Sequence, residues 1–308
     1  MVLGALAPDV DAVLMPFGWD VYLWAHEIGT HSLVGSLGVA ALTALVIRLF
    51  ARDSRYPPLL MAAWVGSLSH LALDVLSGAH VRLGWPWLDG RLSVPLIAMA
   101  DPAVMAIFAA GAILLIVVRK RPVQWQRLGA IVVLVAAFLF LAVKALLLAR
   151  AVSSLRSRSE QASNRVLEAR WASLTEWHVY DRTADALQQW QVRPGSDPVL
   201  LLSWPIGSEP PLVTKSRSLP TVRNFLRVHD LGFAVLLPDR TGATHVLWSD
   251  IRYCWASETP VTEPVVAAIT PGAMRITCSL WFGGTFDDGG RVLRQRVQVG
   301  RWIQTRAP

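Results

Sequence analysis

Four long apolar stretches in the first half of the chain constrain its fold more than any other feature. A helix needs about 20 residues to cross a hydrocarbon core of about 30 Å, and each stretch comes close to that length. We therefore predict about four transmembrane helices, within a membrane domain of residues 1–150. The stretches cover roughly residues 33–50, 59–76, 95–118 and 128–148.

Basic residues beside these stretches predict how the helices are oriented. One cluster follows the first stretch and another follows the third, whereas the loop between the second and third carries only Arg82 and Arg91. Because basic loops stay in the cytoplasm, we expect residues 1–32, residues 77–94 and the C-terminal segment on the outer face. The formal net charge of +7 then reflects a membrane rather than a nucleic acid, and we predict no nucleic-acid partner. The clusters are Arg48, Arg52 and Arg55, and Arg119, Lys120, Arg121 and Arg127.

Residues 151–308 have the charge density of a soluble domain. The first part, residues 151–190, is polar with apolar positions at helix-compatible spacing, and residues 195–308 contain short apolar runs separated by Gly, Pro and Asp, which is typical of strands. Cys254 and Cys278 could pair in a disulfide if this domain is extracytoplasmic, or could remain free. The predicted fold is an α-helical membrane bundle followed by a soluble α+β or mostly β C-terminal domain.

Histidine and aspartate side chains gather at one end of the predicted bundle. Ionisable groups at the ends of apolar helices are costly unless they are paired, hydrated or bound to a ligand. The topology built from Arg and Lys places all of these groups at the outer end, although they played no part in building it. They are Asp9, Asp11, His26, Thr30, His31, His70, Asp74, His80 and Asp101.

The spacing and chemistry of this set predict a metal site. His70 and Asp74 are four residues apart and share one helical face, and a turn at Ser77–Gly78 would let His80 add an imidazole. Imidazole nitrogen together with carboxylate oxygen favours zinc, with manganese or iron as alternatives. The predicted ligands are Asp9, Asp11, His26, His31, His70, Asp74 and His80.

Simpler explanations remain open for several of these residues. The His70–Asp74 pair could be no more than a buried hydrogen bond. Asp101, followed by Pro102, could only cap a helix, and Thr30 and Ser32 could do the same.

Three motifs resemble one bacterial family. They match, in order and spacing over residues 1–120, the Pro-Asp-x-Asp, His-Arg-x-x-Thr-His-Ser and His-x-x-x-Asp motifs of the bacterial membrane-bound metal-dependent hydrolases, also called LexA-binding inner-membrane hydrolases. Glu27 departs from that pattern because the family usually has Arg there. Residues 1–8 resemble the last turns of the family's first helix, so we expect either that this helix starts upstream or that the chain begins at the membrane surface. The motifs are Pro8-Asp9-Val10-Asp11, His26-Glu27-Ile28-Gly29-Thr30-His31-Ser32 and Ser69-His70-Leu71-Ala72-Leu73-Asp74.

A second, more distant resemblance concerns one short segment. His70, Asp74 and His80 are spaced like the His-x-x-x-Asp-x-x-x-x-x-His segment of helical zinc-dependent phospholipases C and single-strand nucleases. Those enzymes hydrolyse phosphate esters with clustered zinc ions, so the similarity implies phosphoesterase chemistry.

Together the residues and the resemblances lead us to expect a metal-dependent hydrolase in the bacterial inner membrane, with its site at the outer face. Its substrate would be a phosphoester or another ester of an amphiphile drawn from the lipid bilayer. Asp11 would serve catalysis, Thr30 would orient a ligand, and Glu27 would be a candidate base. The alternative is a non-catalytic anchor with a structural metal and a partner-binding C-terminal domain. A transporter would be expected to place such groups near the bilayer midplane instead.

Overall fold

The computed structural model describes residues 1–26, 29–155, 162–239, 241–257, 268–269 and 275–307. The N-terminal half is helical and the C-terminal half is built mainly from antiparallel strands. The helices of the first half are α1 (Val2–Leu6), a 3₁₀ segment (Pro8–Phe17), α2 (Trp19–His26), α3 (Leu33–Phe50), α4 (Tyr56–Leu76), α5 (Pro102–Val118) and α6 (Val123–Ser153).

Three of these helices are long and apolar enough to cross a membrane. They are α3, α4 and α6, with 18, 21 and 31 residues. Helix α5 is also apolar but has only 17 residues, or about 26 Å of helix. Three of the predicted spans are therefore found, and membrane crossing by α5 stays a prediction.

Local chemistry explains where the apolar helices begin. The Ser32 hydroxyl accepts from the backbone N–H of Gly35 at 3.0 Å and caps α3. A carboxylate oxygen of Asp101 accepts from the N–H of Ala103 at 2.9 Å, and Pro102 occupies the first turn of α5. Ser32 and Asp101 are thus helix caps, the simpler of their two predicted roles.

The residues before α3 fold back onto the bundle. Helix α1 lies against α4, where Gly4 and Gly66 let the two backbones approach so closely that a Cβ on either would collide with the other helix. The 3₁₀ segment follows at once, because Pro8 starts it directly after α1. This packing brings Asp9 and Asp11 to the end of the bundle at which α3 begins and α4 ends.

The described part of the C-terminal half contains three antiparallel sheets. The first has the order β1-β2-β3-β4, the second β12-β11-β10-β6-β5 and the third β7-β9-β8. The strands are β1 (Asn164–Ala169), β2 (Trp177–Arg182), β3 (Ala186–Val192), β4 (Val199–Pro205), β5 (Gly232–Pro238), β6 (Thr244–Asp250), β7 (Cys254–Ser257), β8 (Ala268–Ile269), β9 (Arg275–Cys278), β10 (Leu280–Phe286), β11 (Val292–Val299) and β12 (Trp302–Arg306).

Two hydrophobic cores lie on opposite faces of the second sheet. One core joins it to the first sheet through residues such as Leu187, Phe233 and Trp281. The other joins it to α7 (Pro211–Ser216) and α8 (Pro220–Val228) through Phe225 and Phe282. The predicted α+β or mostly β character of this half is found.

The prediction of a helical segment over residues 151–190 is wrong. Helix α6 ends at Ser153, and β1, β2 and most of β3 lie within that range. The reason is tertiary: Val166, Tyr180 and Leu187 fill the core between the sheets, and Val166 and Leu187 have less buried neighbours on both sides. In these short polar strands the helical spacing of a few apolar positions was a coincidence.

The C-terminal domain lies at the same end of the bundle as the histidines and aspartates. The carboxylate of Asp20, in α2, accepts from Arg306 of β12 at 2.6 Å, and Lys144 of α6 donates to the carbonyl of Ser173 at 3.1 Å. The indole N–H of Trp177 donates to the carbonyl of Pro95 at 2.9 Å. The domain therefore also holds the segments that carry the site.

Candidate metal centre

Seven polar side chains meet at the end of the bundle where α3 begins and α4 ends; we call them the rim cluster. The 3₁₀ segment contributes two of them, the end of α2 and the turn before α3 contribute three, and the last turns of α4 contribute two. Four sequence-distant segments thus converge, as the topology predicted. The rim cluster consists of Asp9, Asp11, His26, Thr30, His31, His70 and Asp74.

One half of the rim cluster is an internally satisfied hydrogen-bond network. Nδ1 of His26 lies 3.1 Å from both carboxylate oxygens of Asp11. The Thr30 hydroxyl donates to Oδ2 of Asp11 at 2.9 Å and lies 3.1 Å from Nδ1 of His31. Because the single hydroxyl proton of Thr30 goes to Asp11, Nδ1–H of His31 is the donor to Thr30. This assignment leaves a free lone pair on Nε2 of a neutral His31.

Burial and neighbouring charges in this network set the protonation states of Asp11 and His31. Burial raises the pKa of Asp11, but the hydrogen bond and charge of His26 outweigh burial and the pKa is lowered on balance. Burial and the positive charge of His26 lower the pKa of His31. Asp11 is therefore a carboxylate and His31 a neutral imidazole near pH 7, the form that binds metals.

The other half of the rim cluster is not satisfied. Nε2 of His31 is buried and has no hydrogen-bond partner among the residues that the structure describes. It lies 3.5 Å from Oδ1 of Asp9 and 3.6 Å from Oδ2 of Asp74. Nε2 of His70 lies 3.5 Å from the same Asp9 oxygen and 3.2 Å from the same Asp74 oxygen.

Three of these separations, of 3.5–3.6 Å, fit a metal ion better than direct hydrogen bonds, whereas the 3.2 Å between His70 and Asp74 is also that of a hydrogen bond. Zinc binds nitrogen and oxygen at about 2.0–2.2 Å with tetrahedral angles, so neighbouring ligand atoms stand about 3.3–3.6 Å apart. Nitrogen–oxygen hydrogen bonds are typically about 2.7–3.2 Å. The ligand atoms of Asp9, His31 and His70 all lie within 4.8 Å of one another, and Asp74 faces both imidazoles. The residues present therefore fit a single divalent cation.

A second group of three ligand atoms, from Asp11, His26 and His31, is equally compact. Its members already bond to one another and to Thr30. Only one nitrogen of a neutral His31 can offer a lone pair, and Thr30 engages the other. Asp11 and His26 therefore lie behind the ligands, where they orient His31.

One predicted ligand, His80, lies outside the rim cluster. Burial, together with the positive charges of Arg252 and Arg91, lowers the pKa of His80, and the charge of Asp230 offsets this only in part. His80 thus faces the C-terminal domain, and neither compact group includes it; its prediction as a ligand is not supported. Glu27 lies outside the described residues.

Sequence reasoning missed Tyr22 and Asp20. The ring of Tyr22 lies 4.8 Å from that of His26, and burial together with Asp11 raises the pKa of Tyr22 to about 12. Asp20 is almost fully buried and binds both Arg306 and Asn224. Tyr22 and His26 are four residues apart in α2, a spacing that could have signalled their shared face.

The fold and site define a membrane domain with a histidine–carboxylate centre at one end and a strand-rich domain over it. Residues 1–151 match the family model described as YdjM inner membrane protein. The match covers the whole rim cluster and all the apolar helices up to α6, so this half of the chain is similar to inner membrane proteins. No curated protein and no solved structure matches the chain.

Proposed function

We propose that the rim cluster binds one divalent cation, with zinc favoured over manganese or iron, and that the protein is a membrane-embedded hydrolase. Its substrate would be a phosphoester or another ester of an amphiphile at the outer face of the inner membrane. The observation that carries the proposal is the set of nitrogen–oxygen separations of 3.2–3.6 Å around His31 and His70, with Nε2 of His31 left without a partner.

Four side chains would hold the cation and two would orient them. Asp9, His31, His70 and Asp74 offer the ligand atoms. Thr30 and Asp11 fix the tautomer and rotation of His31, as groups behind metal ligands usually do. When bound, the cation would supply Lewis acidity toward an ester oxygen and a water molecule.

Exposure favours a reactive site over a closed one. The side chain of Asp9 is 48% exposed, whereas that of His31 is 5% exposed. Water and substrate can therefore approach from the Asp9 side, and the buried imidazole of His31 anchors the opposite side. Glu27 remains the candidate base that the sequence suggests.

An outer-face location has support from two independent features. The dense Arg clusters lie at the opposite end of the bundle from the rim cluster, in the loops after α3 and α5. Cys254 and Cys278 form a disulfide between β7 and β9, and disulfides persist in oxidising compartments. Both features agree with an extracytoplasmic site and C-terminal domain.

The test is metal content and hydrolysis in the purified full chain. We expect about one zinc per chain and hydrolysis of bis(4-nitrophenyl) phosphate or a long-chain 4-nitrophenyl ester. The double variant His70→Ala/Asp74→Ala should lose the metal and at least a hundredfold of the rate. His245→Ala, a histidine of β6 outside the rim cluster, is the matched control and should retain both. Unchanged metal content in the double variant would contradict the proposal.

A structural metal site on a non-catalytic anchor is the second candidate. It is favoured by the number of converging ligands, because four side chains are enough to close a tetrahedral zinc site. The reactive and the structural metal site can be distinguished by replacing the metal with cobalt and adding inorganic phosphate. A shift in the visible spectrum indicates an open coordination position and a reactive site. An unchanged spectrum, with metal bound and no hydrolysis, supports the anchor with a partner-binding C-terminal domain.

A further inference from the structure

A cavity of about 380 Å³ lies directly beside the rim cluster, between α4 and the start of α5. Its volume falls within the range of about 300–1,000 Å³ typical of small-molecule sites. Asp74 belongs both to the cavity wall and to the rim cluster, so the two are continuous. The remaining wall is mostly apolar and includes Leu73, Ile97, Val104, Met105 and Phe108. We call this cavity the chain groove.

The chain groove continues toward the interior of the bundle. A small second cavity of about 30 Å³ shares Leu73, Ile97, Val104 and Phe108 with it. Its other lining residues include Phe140 and Leu141 of α6, and every lining residue is apolar. The combined space therefore has a carboxylate at one end and only hydrocarbon at the other.

The polar groups at the mouth of the chain groove are already satisfied, apart from Asp74. The carboxylate of Asp101 accepts from the backbone N–H of Ala103 and Val104, and the Ser77 hydroxyl donates to a backbone carbonyl of α4 at 2.9 Å. These groups offer little to a polar ligand. The mouth thus presents an apolar surface that leads to Asp74 and the two imidazoles.

The chain groove exists because the helices pack in pairs. Helix α3 packs closely on α4, and α5 packs closely on α6, which leaves the gap between α4 and α5. Met105 and Phe108 stand on its border and are 60% and 46% exposed. In a bilayer these residues face hydrocarbon, so the gap opens sideways into the lipid and apolar chains rather than water would fill it.

We propose that the chain groove holds the hydrocarbon chain of a phosphate-headed amphiphile, which enters sideways from the outer leaflet and places its head at the rim cluster. This inference rests on the proposed function for the role of the head. It narrows the substrate from any ester of an amphiphile to a phosphate amphiphile with a long hydrocarbon chain, and it adds a route of entry.

The test uses the full chain in lipid nanodiscs, loaded with zinc. The probe is a sixteen-carbon alkyl phosphate with a photoactivatable diazirine in mid-chain, and the adducts are located by peptide mass spectrometry. We expect adducts concentrated on residues 97–108 of the loop and α5 and on Leu73 of α4. Excess hexadecyl phosphate should compete at least fivefold, whereas methyl phosphate should not.

Two matched variants of α5 sharpen the test. Val104→Trp fills the chain groove and should reduce this labelling at least fivefold. Ile113→Trp lies on the same helix, is 63% exposed and lines neither cavity, so labelling should be unchanged. Zinc content reports whether each variant is folded. The location of the adducts on the chain without substitutions tests the chain groove even if a variant does not fold.

The outcomes separate this inference from the proposed function. Adducts spread evenly over the lipid-facing sides of α3, α5 and α6, without competition, overturn the chain groove even if zinc is bound. Competition by methyl phosphate as strong as by hexadecyl phosphate overturns it as well. Saturable labelling of the groove without bound zinc supports the groove and overturns the metal-dependent hydrolase.

Discussion

Two regions of the molecule bury histidine and carboxylate groups together, and they treat them differently. In the C-terminal domain, the fully buried Asp250 accepts from Nε of Arg252 at 2.9 Å and from its second guanidinium nitrogen at 3.0 Å. His229 donates to the carbonyl of Phe225 at 3.0 Å. In the rim cluster, Nε2 of His31 is also enclosed but has no such partner among the described residues.

This difference separates polar groups that hold a fold together from groups that await a ligand. A buried charge is tolerated when a partner and hydrogen bonds compensate for its lost hydration. Asp250 meets that condition within the chain. The rim cluster meets it only in part, since the acceptors of Asp9, His31, His70 and Asp74 face one another. Under the function proposed above, a cation would complete this set.

The largest predicted effect concerns the compensated pair. Asp250→Ala leaves the buried guanidinium of Arg252 with Glu168 at 3.8 Å as its nearest remaining carboxylate. We expect a loss of about 3–5 kcal/mol of stability in the second sheet, the usual cost of removing one partner of a buried ion pair. Hydrogen exchange of the β6 amides in the full chain measures it.

Matched variants show whether the comparison holds. Asp288→Ala, at an exposed carboxylate of the same domain, should change the stability by less than about 0.5 kcal/mol. Asp9→Ala in the metal-free chain should do the same, because no buried cation loses its partner. A large loss of stability in metal-free Asp9→Ala would show that the rim cluster is a structural network like that around Asp250.

The next largest effect is a pH dependence of the C-terminal domain. Burial, which the charge of Asp250 only partly offsets, lowers the pKa of His229 to about 4. Below the ordinary pKa of about 6.5 the unfolded chain therefore binds a proton that the folded chain does not. Stability should be full above pH 6.5 and fall by about 3 kcal/mol as the pH drops to 4.

Protection of the β6 amides at several pH values measures this loss. His229→Gln, which keeps a polar side chain without an ionisable group, should remove most of the slope between pH 6.5 and 4. An unchanged slope in that variant would assign the pH dependence to another group.

The smallest effect tests the supporting half of the rim cluster. Thr30→Val removes the hydroxyl that links Asp11 to His31. Loss of such a supporting contact typically costs 10–100-fold in metal affinity, and we expect zinc affinity to fall within that range while one ion still binds. Competition with a chelator of known affinity measures it.

The control for this variant is Thr43→Val in α3. The Thr43 hydroxyl bonds only to a carbonyl of its own helix, that of Val39, so zinc affinity should not change. Equal effects of the two substitutions would mean that Thr30 acts through helix stability rather than through His31.

The rim cluster was largely predictable because its residues sit at the ends of apolar helices. Spans begin after His31 and end after Asp74, so the bilayer itself brings these residues to one level. His80 could not be placed in this way, because it follows the end of α4 and its direction depends on the turn. The structure turns it toward Arg252 and Arg91 instead.

Which residues of the rim cluster are the proposed metal ligands, and which only support them, was less predictable than the membership of the cluster. Sequence alone treated Asp11 and His26 as equal to His31 and His70. Only the hydrogen bonds among Asp11, His26 and Thr30 show that these three support His31 and that the free lone pair points toward Asp9 and Asp74.

The sequence alone predicted a membrane protein whose histidines and aspartates gather at one end of the helical bundle. The length of an apolar segment and the position of its flanking charges are local properties of the sequence, and they directly decide how the segment sits in a bilayer. Only the tertiary structure decided which atoms face each other, that residues 164–192 form strands, and that a gap separates α4 from α5. Those features depend on packing between segments far apart in the chain, which no local pattern encodes.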